Sequence, residues 1–429
     1  MLKPDLAFEA DLALGIDLGT SGLRLAVIDA QGVRLTEESS HYPSAFEDPQ
    51  GWQQGLIQLC EQLPIDLRQR IAGLAVDGTS GTLLMCRADG SLPNGSLGLA
   101  LPYHQSCPDQ AETASELAGG GPAASASGSL ARALKLMQRA RVEEHDGPWL
   151  LRHQADWMTG WLLGDWRWGE EGNNLRLGWC LNNQHWVGDI AKQSWSGALP
   201  EIQPSGLVLG TLAPAAASRL GIPERCQVVA GSTDANAAVL AAEPGESDGV
   251  TVLGTTLVLK QWSPDPIQGP GVSCHRVGGR WLLGGASNAG GGVLKRYFND
   301  EQLKEISRQI DPIHSSGLHL RPLLATGERF PVDDPSLQPI LEPRPVSDAL
   351  FLQALLEGLG AIEREGWQRL EDLGAPAVKK IISVGGGACN PQWRIIRQRL
   401  LQRPIINRPG LSAALGMARL AARAVLNQT

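Results

Sequence analysis

Residues 12–32 carry the strongest structural pattern of the chain, LALGIDLGTSGLRLAVIDAQG. An apolar run enters Asp17-Leu18-Gly19-Thr20-Ser21-Gly22, and a second, alternating run over residues 23–29 ends at another turn. Apolar runs bounded by Gly, Ser and Thr predict two β-strands joined by a glycine-bearing turn. This turn would place a carboxylate, two hydroxyls and unhindered backbone amides at the end of a buried strand.

A similar pattern follows between residues 71 and 86. Two apolar runs, 71–76 and 82–86, flank the turn Asp77-Gly78-Thr79-Ser80-Gly81. We interpret these runs as a second hairpin, and we expect its glycine-rich turn to face the same site as the first.

The second half of the chain begins as the first did. Residues 228–234 form an apolar run that ends in Gly231-Ser232-Thr233-Asp234, and residues 250–259 repeat the opening hairpin around Gly254-Thr255-Thr256. This internal duplication, with a period of about 240 residues, predicts two similar domains. We place them at residues 1–240 and 241–429.

Helices and strands alternate in the remainder of the chain. Helical periodicity covers residues 349–373, and residues 378–384 form an apolar run that enters Gly385-Gly386-Gly387. A helix, a strand at residues 404–406 and a last helix from Ser412 follow. Strands that alternate with helices predict the α/β class.

The composition excludes several classes of protein. The 429 residues carry 37 Lys and Arg against 45 Asp and Glu, a formal charge of −8. This acidic balance, without basic runs, argues against a nucleic-acid partner. The apolar fraction of 42% and the 51 glycines are typical of a globular enzyme rather than of a disordered or fibrous chain.

Cysteine usage and hydropathy indicate a cytoplasmic protein. The seven cysteines are far apart and form no Cys-x-x-Cys pair, which a reduced compartment tolerates. Residues 1–11 lack the basic and apolar segments of a signal peptide, and no apolar run reaches the ~18 residues of a membrane span. We therefore expect a cytoplasmic location and no membrane partner.

Glycine-rich strand exits and two aspartates could carry chemistry. Gly19-Thr20, Gly254-Thr255-Thr256 and Gly385-Gly386-Gly387 offer amides and hydroxyls to phosphate groups. Asp17 and Asp234 stand where apolar strands meet Gly or hydroxyl residues, so one could hold Mg²⁺ and the other could accept a substrate proton. The alternative, that each aspartate only caps a turn, is made less favourable by the duplication. The scattered histidines support neither a hydrolase triad nor a zinc site.

These residues resemble a known family, the FGGY carbohydrate kinases of the actin-like ATPase fold, over nearly the whole chain. The resemblance rests on Asp17-Leu18-Gly19-Thr20-Ser21 and Gly254-Thr255-Thr256 as phosphate motifs, on Gly385-Gly386-Gly387-Ala388 with Asn390 as adenosine motif, and on Ser232-Thr233-Asp234. It implies an α/β fold of two ribonuclease H-like domains with a cleft between them. It also implies an ATP-dependent phosphotransferase whose acceptor is an alcohol group of a sugar.

The resemblance further implies a role for each site residue. Asp234 would be the catalytic base, Asp17 would place Mg²⁺ and touch the sugar, and Thr79 and Ser80 would also bind the sugar. The N-terminal domain would hold the sugar and phosphates, and the C-terminal domain the nucleotide. ATP would contact Thr20, Ser21, Gly254, Thr255, Thr256, Gly385, Gly386, Gly387 and Asn390. The implied partners are ATP, Mg²⁺ and a small-molecule sugar, with no nucleic acid and no obligate protein partner.

Within the family, the segments 77–82 and Gly327-Glu328-Arg329-Phe330-Pro331 are similar to a short branch of D-ribulose kinases found in cyanobacteria and plants. D-Ribulose is therefore the expected substrate, and D-xylulose or another polyol is the alternative. A non-catalytic nucleotide-binding regulator of the actin-like superfamily is the second alternative. Arg132 and Leu411 depart from the lysine and glutamate of many members, and we expect them to affect surface and domain contacts rather than the site.

Overall fold

The computed structural model describes residues 11–142 and 147–426, so the expectation for the N-terminus lies, up to residue 10, outside the described residues. The chain divides into two compact units. Unit 1 contains the residues up to Ala241, together with Arg276–Gly279 and the residues from Ser412. Unit 2 contains Ala242–His275 and Arg280–Leu411.

Unit 1 is built on a mixed six-stranded sheet. Its strands are β1 (Leu12–Leu18), β2 (Leu23–Ile28), β3 (Arg34–Ser40), β4 (Ile71–Gly78), β5 (Leu83–Cys86), β6 (Leu150–His153), β7 (Trp168–Glu170), β8 (Trp179–Cys180), β9 (His185–Trp186), β10 (Glu201–Gln203), β11 (Val208–Thr211) and β12 (Gln227–Thr233). The main sheet has the order β11-β12-β4-β1-β2-β3, and the other strands pair two by two. β1, β4 and β12 run parallel to one another.

The first predicted hairpin is confirmed, and the second is wrong. β1 and β2 pair antiparallel, with Asp17 opposite Arg24. β5 pairs with β6 instead of β4, because both edges of β4 are already hydrogen-bonded to β1 and β12. The turn after Gly78 therefore leads out of the main sheet rather than back along it.

Helices connect these strands. Up to the end of β12 and directly after it, they are α1 (Pro49–Glu61), α2 (Ile65–Gln69), α3 (Ala111–Ala118), α4 (Ser129–Val142), α5 (Gln154–Leu163), α6 (Pro214–Leu220) and α7 (Asp234–Ala242). Asp48 begins α1 by accepting a hydrogen bond from the Gln50 N–H, and Pro49 suits the first helical position.

Unit 2 is built on a second six-stranded sheet. Its strands are β13 (Asp248–Leu253), β14 (Leu257–Ser263), β15 (Val272–Val277), β16 (Arg280–Ser287), β17 (Lys380–Val384) and β18 (Ile405–Asn407), in the order β15-β16-β14-β13-β17-β18. The helices that follow in the chain are α8 (Gly291–Leu294), α9 (Asp300–Ser307), α10 (Asp348–Asp372), α11 (Pro391–Leu401) and α12 (Ala413–Val425). The predicted hairpin β13–β14, the strand into the triple glycine and the helices α10 to α12 are confirmed.

The two sheets share one strand order. Unit 1 contains β3-β2-β1-β4-β12 and unit 2 contains β16-β14-β13-β17-β18, so each sheet lines up three antiparallel strands and then two parallel ones. This common topology confirms the predicted α/β fold with an internal duplication. Each unit has its own apolar core, around Trp52 and Trp157 in one and around Phe351 and Trp367 in the other.

The last helix, α12, packs within unit 1, whereas the sequence-based division assigned it to residues 241–429. α12 contacts β1, β2 and β4. The approach is close, because a Cβ on Gly15 of β1 would lie 1.8 Å from the Ala414 carbonyl oxygen.

The assignment of the sugar to one domain and the nucleotide to the other stays a prediction. Within the described ranges, no helix combines the length and apolarity of a membrane span.

Candidate active site

Three aspartates lie at the carboxyl ends of neighbouring parallel strands in unit 1. The parallel register places Asp17 of β1 opposite Asp77 of β4, and Asp77 opposite Ser232 of β12. β12 ends at Thr233, and Asp234 is the first residue of α7. Because parallel strands end at the same edge of a sheet, the three carboxyl groups form one cluster. Sequence analysis singled out Asp17 and Asp234 but treated Asp77 only as part of a turn.

Asp17 and Asp77 form a coupled pair of buried carboxyls. Burial raises the pKa of Asp77 well above its ordinary value, and the charges of Asp17 and Asp234 raise it further. In the described part of the chain neither Asp77 side-chain oxygen meets a donor, which also favours the neutral form of this carboxyl. Burial also raises the pKa of Asp17, against the effect of Asp77 and of Arg24, whose Nη1 lies 3.1 Å from Asp17 Oδ2.

Asp234 has a different environment. Its Oδ1 accepts a 2.7 Å hydrogen bond from the Ala235 N–H at the start of α7. Burial raises the pKa of Asp234 to about 6, and the charge of Asp17 adds to the rise. Such a carboxylate is ionised at neutral pH and is still a stronger base than an ordinary aspartate, which suits it to accept a proton.

The loop after β4 presents one of the two hydroxyls that were predicted to bind the sugar. The Thr79 side chain is buried, and both its N–H and its Oγ1 donate to Gln154 Oε1, at 3.0 and 2.8 Å. Thr79 Oγ1 also lies 2.7 Å from Thr82 Oγ1. Ser80 is partly exposed. Ser80 is therefore the accessible hydroxyl, and Thr79 supports the loop from within the protein.

The turn between β1 and β2 has a fixed backbone and exposed hydroxyls. Tyr42 Oη donates to the Gly19 carbonyl oxygen at 2.8 Å. Thr20 and Ser21 are exposed, and Thr20 Oγ1 lies 3.4 Å from Tyr103 Oη. The two hydroxyls are thus accessible to a ligand, and their contact with phosphate stays a prediction.

Unit 2 contains a pocket of about 800 Å³. This volume falls in the range of ~300–1,000 Å³ that is usual for small-molecule sites. The lining combines small residues with cations and apolar side chains, among them Gly254, Thr255, Gly291, Gly292, Gly386, Gly387, Lys304, Arg308, Leu303 and Trp393. Thr256 and Gly385 were predicted to contact ATP but are not part of the lining. A nucleotide with its anionic phosphates fits such a lining.

β17 runs directly into the triple-glycine turn that borders this pocket. Gly385 has a φ of +84°, a left-handed conformation that glycine adopts without strain. A Cβ on Gly386 would meet no atom within 4 Å, so the Gly386 backbone faces open space in the pocket. A Cβ on Gly387 would lie 2.5 Å from the Trp393 ring, so packing requires this glycine. Gly386 is therefore the glycine that a ligand can approach.

Asn390 lines the pocket, but its side chain is engaged by the protein. Its Oδ1 caps α11 by accepting a hydrogen bond of 3.0 Å from the Trp393 N–H. Its Nδ2 donates to Ser307 Oγ at 2.8 Å. Asn390 thus joins α11 to the end of α9 and shapes the pocket, and its direct contact with ATP stays a prediction.

A second glycine run holds the Gly254-Thr255 turn. The N–H groups of Gly291 and Gly292 donate to the carbonyl oxygens of Gly254 and Thr255, at 2.8 and 3.1 Å. Sequence analysis did not assign these glycines to the site. The signal was present, because Gly290-Gly291-Gly292 follows an apolar strand as Gly385-Gly386-Gly387 does.

The residues fit Mg²⁺ that arrives with ATP. Among the described residues, no group of three or more His, Cys, Asp or Glu side chains could hold a metal ion. Mg²⁺ is usually held by one or two carboxylates together with substrate phosphates and water. Asp17, at the edge of the sheet, is a carboxylate of this kind, and its contact with Mg²⁺ stays a prediction.

Comparison with known proteins finds similarity to carbohydrate kinases. The C-terminal domain of the FGGY family of carbohydrate kinases matches residues 249–425. A xylulose kinase from Bacillus subtilis is 25% identical over 95% of this chain and 87% of its own length. An L-fuculokinase from Escherichia coli is 26% identical over 48% of this chain and 45% of its own length.

Solved structures share the fold. A xylulose kinase from Bifidobacterium adolescentis has a TM-score of 0.79 at 19% identity, over 98% of this chain and 94% of its own. A Plasmodium falciparum glycerol kinase with ADP has a TM-score of 0.77 at 16% identity, over 97% and 90%. The protein thus has the two-domain α/β fold of these kinase structures, as predicted. The match of residues 249–425 and the kinase relatives together support an ATP-dependent carbohydrate kinase, a class of enzymes that use ATP with Mg²⁺.

Proposed function

We propose that this carbohydrate kinase transfers the γ-phosphoryl group of ATP to the terminal hydroxyl of D-ribulose, which gives D-ribulose 5-phosphate. The observation that carries the proposal is the carboxylate cluster of unit 1, in which Asp17, Asp77 and Asp234 meet beside the accessible Ser80. Carboxylates and hydroxyls are the partners that the hydroxyl groups of an uncharged sugar require.

In this mechanism Asp234 is the general base. It accepts the proton of the attacking hydroxyl as the new O–P bond forms and the bond between the γ-phosphorus and the ADP oxygen breaks. Asp17 accepts hydrogen bonds from the sugar and so orients it, and Arg24 stabilises the ionised form of Asp17. ATP with Mg²⁺ supplies the transferred group and neutralises its charge. Asp77 is not assigned as a second base, because burial and the charges of Asp17 and Asp234 raise its pKa well above the ordinary value and so favour its neutral form.

The pocket of unit 2 is the proposed ATP site. Gly254, Thr255 and Gly386 border it with backbone amides and a hydroxyl, and Lys304 and Arg308 add positive charge. Backbone amides and cations are the groups that recognise phosphates most often. All seven cysteines are free thiols, which suits a reaction in the cytoplasm.

The preference for D-ribulose is proposed from the loop after β4. Ser80 is accessible, and its neighbour Thr79 is fixed by Gln154 and Thr82. A hydroxyl held in this way discriminates against a sugar that leaves it unpaired. D-Xylulose is the second candidate, because the B. subtilis xylulose kinase aligns with 95% of this chain.

The test is steady-state kinetics on D-ribulose, L-ribulose, D-xylulose and glycerol in a coupled ADP-release assay. We expect kcat/KM for D-ribulose to exceed that for D-xylulose about tenfold or more, in line with ~1–3 kcal/mol for one mispaired group. Ser80→Ala should raise KM for D-ribulose more than it lowers kcat, because a positioning contact exists before the transition state.

The matched control is Ser196→Ala, at a partly exposed serine of the short 3-10 helix Ser196–Ala198. This change should leave kcat and KM for both D-ribulose and D-xylulose unaffected. Equal efficiency with D-ribulose and D-xylulose, or an unchanged KM in Ser80→Ala, would contradict the substrate assignment.

A further inference from the structure

Arg132 of α4 is fully buried and takes no part in the proposed reaction. The expectation that it affects surface or domain contacts is wrong, because its guanidinium lies inside unit 1, where it donates to the backbone carbonyl oxygens of four described residues. Burial lowers the pKa of Arg132 to about 10. Its Nε donates to Pro102 O at 2.9 Å and to Gln105 O at 3.1 Å, its Nη1 donates to Gly81 O at 3.1 Å, and its Nη2 donates to Tyr103 O.

These carbonyls belong to two loops, one of which follows Asp77 in the chain and the other of which contacts Thr20 in the turn after Asp17. Gly81 directly follows Ser80 and has a φ of +99°, so the direction of its carbonyl depends on a left-handed turn. Tyr103 is 38% exposed, and its Oη reaches Thr20 Oγ1 at 3.4 Å. The loops also meet directly, because the Tyr103 N–H donates to Thr82 Oγ1 at 3.1 Å.

We propose that Arg132 is a positioning residue for sugar recognition, which holds the Ser80 loop and the Tyr103 loop at a fixed distance so that both side chains border one sugar. This inference rests on the proposed function of the carboxylate cluster. One planar guanidinium reaches both loops, through Nη1 to Gly81 and Nη2 to Tyr103. Without this guanidinium, the side chains of Ser80 and Tyr103 would remain, but the hydrogen bonds that Arg132 makes to both loops would be lost.

A lysine cannot replace this contact. The guanidinium has five N–H donors in a rigid plane, whereas an ammonium has three donors at a single point on a flexible stem. Arg132 uses Nε, Nη1 and Nη2 for four carbonyl oxygens at once. Arg132→Lys should therefore release at least one of the two loops while it keeps the positive charge.

Unit 1 offers a closely matched control in Arg152 of β6. Arg152 is 1% exposed, and burial lowers its pKa to about 10. Among the described residues it also donates to four backbone carbonyl oxygens, those of Leu151, Trp166, Arg167 and Ala198, and none of these belongs to the loops of Ser80 or Tyr103. Arg152→Lys thus reproduces the loss of a buried guanidinium without touching those loops.

The experiment measures KM for sugar, KM for ATP, kcat and Tm in the wild type, Arg132→Lys and Arg152→Lys. We expect Arg132→Lys to raise the sugar KM tenfold or more, with the KM for ATP within twofold of the wild type. Arg152→Lys should lower Tm to a similar extent and leave the sugar KM within twofold. A similar sugar KM in the two variants would overturn the proposal, because Arg132 would then act on stability alone.

Hydrogen exchange on the wild type covers the case in which Arg132→Lys does not fold. D-Ribulose should slow exchange of the amides in residues 79–82 and 102–105 together. Slowing of one loop alone or of neither would contradict the proposal that the two loops are held together around one sugar.

If the wild type prefers D-xylulose, the same measurements are made with that sugar, and only the substrate assignment fails. A wild type that phosphorylates no sugar would refute the proposed function itself.

Discussion

The pH dependence of turnover tests the assignment of Asp234. Burial raises the pKa of this carboxyl to about 6. About 0.9 of Asp234 is then ionised at pH 7 and about 0.1 at pH 5, whereas an ordinary aspartate would stay about 0.9 ionised at pH 5. Because only the ionised form accepts the proton, kcat/KM for the sugar should fall about tenfold from pH 7 to pH 5. Asp234→Asn should lower turnover by roughly 10²–10⁴ at pH 7.

Two controls separate Asp234 from its neighbours. Burial also raises the pKa of Asp17, so an acid limb could belong to the coupled cluster. In Asp234→Asn the residual rate should lose this limb if Asp234 is the titrating group. Binding of a non-hydrolysable ATP analogue and circular dichroism across the same pH range check that nucleotide affinity and folding are unchanged. A flat profile down to pH 5, or a folded Asp234→Asn enzyme near the wild-type rate, would refute the assignment.

Three further predictions concern unit 2. Gly386→Val should weaken binding of the ATP analogue about tenfold or more by calorimetry, because its side chain would enter the pocket; Gly197→Val, whose Cβ also has open space, is the control, and an unchanged affinity would make the Gly386 turn structural. Alkylation of Cys389, an exposed thiol in the pocket lining, should be slowed by ATP, and equal rates with and without ATP would place the nucleotide elsewhere. Arg397→Met should cost about 3–5 kcal/mol in urea unfolding, because it leaves the fully buried Glu363 without its ion pair, and a loss below 1 kcal/mol would contradict this.

Local patterns were sufficient for most of the fold. The hairpins β1–β2 and β13–β14 were predicted correctly because an apolar run, a glycine turn and a second apolar run are contiguous in the chain. The pairing of β5 was not, because it depends on which strands occupy the edges of β4. One of them, β12, begins at Gln227, far along the chain, and no local pattern indicates that it inserts next to β4.

The candidate site was also predicted in part, where local sequence patterns were sufficient. Asp17 and Asp234 were identified because each ends an apolar run beside Gly or hydroxyl residues. The engagement of Thr79 by Gln154 could not be foreseen, since it joins residues 75 positions apart. The burial of Arg132 could not be foreseen, because an arginine on a helix is usually solvated and here the carbonyls of two distant loops converge on its guanidinium.

Asp77 and Asp234 show how similar sequence contexts acquire opposite chemistry. Both follow buried strands of the same sheet, and burial raises the pKa of both. Asp234 begins α7 and accepts the Ala235 N–H, and a helix N-terminus favours the ionised form. Asp77 meets no donor among the described residues, and burial together with the charges of Asp17 and Asp234 raises its pKa well above the ordinary value, which favours its neutral form. Because environments that push two pKa values apart separate the roles of two carboxyls, we assign the base to Asp234 and the neutral, charge-limiting member of the cluster to Asp77.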